Sequence, residues 1–515
     1  MSPLLRLLSL GAAGAALLAG CALPPLPERT ASRALDEGEA LQTSLGRALA
    51  PQVSRHPGRS GTHLLSDPLD AFAARMLLAH QAERSLDVQY YIWRGDHTGT
   101  LLLHELVRAA ERGVRVRLLL DDGGTGGLDR ELAALAQHPR IEVRLFNPLL
   151  PRWLKPLGYL TDFARVNRRM HNKSFTADNQ ASIVGGRNVG DEYFGATEGV
   201  VFADLDVLAV GPIVSEVSAD FDRYWASASS WPAQDILPAA DPSTVPALAA
   251  RAGALAQSDA GRAYAQAAQR TPFMTDLLNQ RLALQWSRVD MVSDDPAKGL
   301  AQAQRSGLLV DQLHRALGVP QRSVALVSPY FVPTNAGAEA LIRLQQRGVK
   351  VLILTNAYEA SDVPLVHAGY ARHRTALLQA GVALYEMQRL APAARGSLVR
   401  PNRLGSSGSS LHAKVFAVDG QRAFVGSFNF DPRSALLNTE LGFVIHSPEL
   451  ARQIEQTFDT EVPRSAYTLR LSESGQIEWL SAAEPPVLQR DEPGSTWWSR
   501  IMLGLLSLLP IDGLL

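Results

Sequence analysis

The chain is short of cysteine, of net charge and of long apolar runs, and each shortage removes a class of protein. Its 515 residues include one cysteine, Cys21, so no internal disulfide can form and the usual structural roles of cysteine are absent. Lys and Arg together number 50 against 51 Asp and Glu. Without a basic excess there is no global attraction to polyanions, which disfavours a dedicated nucleic-acid binder. Beyond the first twenty residues no stretch is long enough to span a bilayer.

What is present starts with a leader. Arg6 supplies a positive start, Leu7 to Leu18 an apolar stretch, and Leu18-Ala19-Gly20-Cys21 a lipoprotein-type cleavage box. The expectation is an exported lipoprotein, with signal peptide 1–20 and a diacylglyceryl group on Cys21, held at a membrane on the periplasmic side. Ala22 leaves inner and outer membrane both open. Residues 21–65, rich in Pro, Arg, Ser and Gly, read as a tether.

Two stretches then share one layout. In residues 66–235, a helix starting at Asp67-Pro68 leads to a strand over Leu86 to Trp93. A helix closed by Arg112-Gly113 follows, then strands over 114–120 and 141–146. In residues 316–470, strand 324–332, a helix closed by Arg347-Gly348, and strands 349–354 and 382–385 repeat the order. Alternating strands and helices of this length predict α/β layers with a mixed sheet. Residues 236–315, rich in Ala and Gln, read as a helical connector. The basic, Ser/Gly-rich loop 389–410, with Arg395, Arg400 and Arg403, reads as a flexible gate. Residues 471–515 end in Trp497-Trp498 and an apolar run suited to the membrane interface.

The chemistry lies in a duplicated motif. His171-Asn172-Lys173 is followed by Asp178, and His412-Ala413-Lys414 by Asp419, with identical spacing. Seventeen positions after each histidine stands an asparagine, Asn188 and Asn429. Two imidazoles, two ammonium groups and two amides are what phosphodiester cleavage needs: a nucleophile, an acid for the leaving oxygen, and donors for the non-bridging oxygens. One His-x-Lys alone would read as a surface strand; two copies with matching asparagines read as one catalytic site.

This pattern resembles the phospholipase D superfamily with its duplicated HKD motifs. The stretches Ser85 to Trp93, Pro329 to Pro333, His367 to Tyr370 and Gly426 to Ser434 resemble the bacterial cardiolipin synthases of the third type. The resemblance covers roughly everything after residue 66 and implies two α/β/α sandwich halves related by a pseudo-two-fold, with mixed sheets. It implies that one histidine forms a covalent phosphatidyl-enzyme while the other acts as acid and base; His171 is assigned the first role and His412 the second. Lys173 and Lys414, with Asp178 and Asp419, complete the catalytic set, although turn-capping is an equal reading for both aspartates. Asn188, Asn429 and Ser427 are expected at the phosphate, and Asp206 and Glu440 as the carboxylates that orient the rings.

No metal or cofactor is expected. His104-Glu105 lacks a second histidine at zinc-site spacing, and His367 and His373 read as packing or substrate-contact residues. The function implied is phosphatidyl transfer from phosphatidylethanolamine or phosphatidylglycerol to phosphatidylglycerol, making cardiolipin. Hydrolysis of phospholipid to phosphatidic acid is the alternative, and nucleic-acid cleavage or lipid binding without catalysis are remoter ones. The partners expected are membrane phospholipids and the membrane surface, without nucleic acid.

Overall fold

The computed structural model describes residues 23–507, apart from residues 30, 198–199, 279–280, 362, 390–407 and 483–484. The leader, Cys21 and the arginines of the proposed gate lie outside the described residues.

The first half contains β1 (Ser60–Leu65), β2 (Ser85–Tyr90), β3 (Arg115–Asp121), β4 (Ile141–Phe146), β5 (Ser174–Ala177), β6 (Ala181–Gly185), β7 (Val200–Ala203), β8 (Asp206–Val210) and β9 (Ser230–Pro232). All but β7 form one sheet in the order β1-β8-β6-β5-β2-β3-β4-β9, with β2, β3 and β4 parallel and the rest antiparallel. The parallel strands follow from crossover helices: Asp67 caps Pro68–Gln81 by accepting from Leu69 N at 2.8 Å, and Gly113, at φ 100°, ends His97–Glu111 so that β3 starts at once.

The second half repeats the plan with β10 (Gln285–Ser293), β11 (Ser323–Val327), β12 (Lys350–Asn356), β13 (Ala383–Met387), β14 (Gly408–Leu411), β15 (Val415–Val418), β16 (Arg422–Gly426), β17 (Leu441–His446), β18 (Ala466–Leu471), β19 (Ile477–Ser481) and β20 (Val487–Gln489). Their order, with β14 apart, is β10-β17-β16-β15-β11-β12-β13-β18-β19-β20, and β11, β12 and β13 are the parallel set. Strand for strand, the first eight match the first half.

Helices Pro68–Gln81 and His97–Glu111 cover the outer face of the first sheet through Leu78, Leu103 and Leu106 packed with Val88 and Leu118. The inner faces meet in a shared core where Val184 and Val207 of the first half pack with Ala325, Leu354 and Phe443 of the second; helices Pro212–Trp225 and Pro448–Thr460 also enter it. Strands β1 and β10 pair antiparallel, Ser60 opposite Ser287, and seam the sheets together.

Two expectations need correction. Residues 21–65 are not a plain tether: helices Glu37–Leu41 and Ser44–Ser54 precede β1, and the Arg29 guanidinium donates to the carbonyls of Ala226, Ser227 and Ser230. The connector 236–315 is not all helical either. After helices Thr244–Gln257 and Asp259–Gln269, β10 opens the second half as β1 opens the first. β1, Ser60-Gly61-Thr62-His63-Leu64-Leu65, has no alternation, and β10 alternates only roughly, so each is a weak signal until its partner is known.

Candidate active site

Two short parallel contacts between the halves build the site. Met170 bridges Thr439, and His171 N donates to Thr439 O at 2.8 Å, so the next pair along is His171 and Glu440. Strand β7 pairs with β14, Ala203 opposite Leu411, and His412 N donates to Ala203 O at 2.8 Å. The next pair there is Asp204 and His412.

Each imidazole therefore meets a carboxylate from the opposite half. His171 Nδ1 lies 2.8 Å from Glu440 Oε2, and His412 Nδ1 lies 2.5 Å from Asp204 Oδ2. With a carboxylate accepting at Nδ1, the tautomer is fixed and Nε2 is left for chemistry. Lys173 and Lys414 are buried, 1% exposed each. Lys173 Nζ donates to His171 O at 2.6 Å, and Lys414 Nζ lies 3.3 Å from His412 Nε2. The edges of Tyr91 and Tyr193 close on His171 and His412, with ring centroids 5.0 Å and 5.2 Å away.

The motif residues of the two halves also act on one another electrostatically. Burial, then Lys173, Lys414 and His412, drive the His171 imidazole well below the usual histidine range. Burial and Lys414 pull His412 down to about 4 against the upward pull of Asp204. Lys173 is also held well below a free lysine, by burial first and Lys414 next among the lowering influences. The two carboxylates differ. Burial raises Glu440 to about 7, whereas Asp204, despite its burial, is held far below the usual range by His412, Lys414 and Arg187. The pocket thus disfavours protonation of its own bases, a bias that an anionic phosphodiester would offset.

Asp206, expected as an orienting group, does not reach His412. It pairs with the buried Arg75 guanidinium at 2.8 Å and accepts from Arg187 N at 3.1 Å. The strand register explains the difference: Gly185 faces Asp206 where Gly426 faces Gly442, so Asp204 is the counterpart of Glu440. Aligning Asp204-Leu205 with Glu440-Leu441 would have found it in the sequence. Gly186 makes room, because a Cβ there would stand 2.2 Å from Asp204 Oδ1.

Asp178 and Asp419 stand away from the pocket. Both have positive φ, 52° and 57°, and each carboxylate gathers three backbone N–H groups: Glu83, Arg84 and Ser85 for Asp178, and Gln321, Arg322 and Ser323 for Asp419. They lie five residues past their lysines, about 16 Å along an extended chain, and fasten the starts of β2 and β11. Turn-capping is the reading their contacts support.

The asparagines also differ. Asn188 accepts from Ile92 N at 3.1 Å and donates to the Tyr193 hydroxyl at 3.0 Å, which commits its amide to the scaffold. Asn429 is 5% exposed and its Oδ1 has no hydrogen-bond partner. Ser427 donates to Glu440 Oε2 and accepts from Leu441 N at 3.0 Å. Its hydroxyl positions Glu440 instead of facing a phosphate. Among the described residues, no group of three or more His, Cys, Asp or Glu side chains has metal-holding geometry.

The sequence matches the family described as "Cardiolipin synthase, PLD-like domain" over residues 77–225 and 310–462, once in each half. It is 48% identical over 474 residues to cardiolipin synthase C of Escherichia coli (strain K12), covering 92% of this chain and 99% of that protein. It is 24% identical to cardiolipin synthase 1 of Bacillus anthracis, covering 90% of this chain and 81% of the relative. The crystal structure of phosphatidylserine synthase from Haemophilus influenzae Rd KW20 superposes with a TM-score of 0.57 at 12% identity, over 91% of this chain and 99% of that one. At that identity the likeness speaks to fold alone.

Proposed function

The chain belongs to the cardiolipin synthase family of phospholipase D-like phosphatidyltransferases, and we propose that it makes cardiolipin by double displacement at one phosphorus. His171 Nε2 attacks the phosphorus of phosphatidylethanolamine or phosphatidylglycerol. A P–N bond forms as the P–O bond to the headgroup breaks, and His412, protonated once the anionic phosphodiester offsets the neighbouring lysines, gives its Nε2 proton to the departing oxygen. A glycerol hydroxyl of a second phosphatidylglycerol then gives its proton to His412 and attacks phosphorus. The P–N bond breaks, and both rings return to their starting states. Lys173, Lys414 and Asn429 hold the non-bridging oxygens.

The crossed His–carboxylate pairs carry this reading, and their inequality supports the roles. The firmly ionised Asp204 stabilises an imidazolium at His412, which suits the acid. Glu440, whose carboxyl burial raises to about 7, does so less, which suits a neutral nucleophile at His171. For localisation we infer membrane association, with Cys21 as a lipidated anchor on the periplasmic side; among the described residues no helix is long and apolar enough to cross a membrane.

Vesicles of phosphatidylethanolamine and phosphatidylglycerol should yield cardiolipin, with ethanolamine or glycerol identifying the donor. His171→Ala and His412→Ala should each lower the rate about 10²- to 10⁴-fold or more. Unchanged synthesis in both variants would remove the catalytic assignment, and phosphatidic acid as sole product would make the enzyme a hydrolase.

A further inference from the structure

Two exposed apolar elements that catalysis does not use lie on segments that adjoin the site. The first is the connection from β4 to β5, where Trp153 is 75% and Leu160 83% exposed, with Phe163 beside them in sequence at 49%. This segment is braced from beneath: Arg152 reaches Asp122 at 2.5 Å, Lys155 Nζ reaches Asp122 at 3.2 Å, and Arg165 donates to Pro148 O at 2.9 Å. A loop so anchored presents its apolar side chains outward by construction. Arg168, on the same connection, donates to the carbonyl of the exposed Leu436 at 2.9 Å, which carries the apolar rim across to the second half.

The second element is the helix Trp497–Ser507, whose Trp498, Ile501, Met502 and Leu505 are all more than half exposed or close to it. It packs on the helix Pro364–Ala371. The tail before it is latched by Glu492, which accepts from His367 Nε2 at 2.8 Å and from Arg374 at 2.9 Å.

Both elements sit at the end where the parallel strands of the two halves finish. The first runs from β4 directly into His171. The second rests on the helix after β12, beside Ala360, whose carbonyl accepts from Ser410 Oγ at 2.8 Å, two residues before His412. The first element thus leads by sequence to His171, and the second is linked by packing and a hydrogen bond to the segment before His412.

We propose that this end of the molecule docks on a phospholipid bilayer, with Trp153, Leu160 and Phe163 entering on the His171 side and Ile501, Met502 and Leu505 on the His412 side. The inference rests on the phosphatidyl-transfer reading. Drawing a two-chain lipid out of a bilayer costs about 0.8 kcal/mol per methylene exposed. A phosphate can reach two recessed histidines cheaply only if the acyl chains stay in the membrane and the mouth faces it. The chemistry of the rim fits that surface: tryptophans suit the headgroup boundary, and the Arg168 guanidinium, held by carbonyls, complements lipid phosphate.

The test compares two substrates for the full chain: vesicles of phosphatidylethanolamine and phosphatidylglycerol, and short-chain phosphatidylglycerol below its micelle concentration. Leu160→Glu and Ile501→Glu should each lower vesicle turnover tenfold or more, and leave turnover of monomeric lipid within twofold. Undiminished vesicle turnover in the double variant would overturn the proposal. Equal loss on both substrates would also overturn it, by making these side chains part of the fold or the pocket. So would a loss of self-association with vesicle turnover intact, which would assign the surface to a second copy. If the wild-type protein turns over neither lipid, the failure lies in the phosphatidyl-transfer reading itself.

Discussion

Asp204 and Asp206 stand two positions apart, and their substitutions should separate catalysis from folding. Asp204→Asn keeps the shape but removes the charge that holds His412 as a donor-ready ring. The transfer rate should fall about 10²- to 10⁴-fold with KM little changed. Asp206→Asn leaves the Arg75 guanidinium buried without its counter-ion and should cost about 3–5 kcal/mol of stability. Urea unfolding and initial rates on the same two samples check both outcomes. Glu440 adds a pH signature. Its carboxyl sits at about 7 in the fold against roughly 4.5 unfolded, so the folded state binds the extra proton between those values. The contribution is full below pH 4.5 and lost as pH rises through 7, up to about 3 kcal/mol. Relative to Glu440→Gln, the wild-type protein should lose thermal stability across that window; a constant difference in Tm would contradict the protonation assigned to Glu440.

At the level of elements, what the sequence disclosed and what it hid divide along contact range. Strand 141–146 has the limits its periodicity predicts, and Gly113 and Gly348 end their helices at φ 100° and 85°. These features depend on neighbours in sequence. Strands β1 and β10 are recognised through their partners, and Asp204 through a register between β7 and β14 that joins residues more than two hundred positions apart. The motif histidines and lysines were legible because duplication exposes them; the orienting aspartate was not, because the two halves differ in length between Asn188 and Asp204 and between Asn429 and Glu440. The element view also recasts the last residue of each motif. Asp419 fastens the start of β11 through three backbone N–H groups, so Asp419→Ala should cost about 2–4 kcal/mol, while the protein that remains folded keeps its rate within a few-fold. Guanidinium unfolding and active-site-normalised turnover measure the two separately. A thousandfold loss of rate in fully folded Asp419→Ala would restore the aspartate to the catalytic set.

Across the whole molecule, neither half holds a complete site. His171 takes its carboxylate from the second half and His412 from the first, so duplication has produced a mutual dependence and not two independent centres. The inner faces of the sheets share one core, in which Val184 and Val207 pack against Leu354 and Phe443. Burial of such side chains is worth about 1.5–3 kcal/mol each, so parting the halves would cost this core as well as the strand contacts that assemble the site. Division before β10 respects this design, since β10 pairs with β17 along six residues and with β1 along three. Residues 1–280 and residues 281–515, produced separately, should each fall at least about 10³-fold below the intact chain, because a lone half lacks one histidine and the carboxylate of the other. Co-expressed, they should recover a substantial share of the rate, driven by the apolar faces that each fragment alone leaves to water. Transfer of a short-chain phosphatidyl group by either fragment alone would show that one half assembles a working site by itself, and the crossed arrangement would then lose its claim to be the catalytic unit.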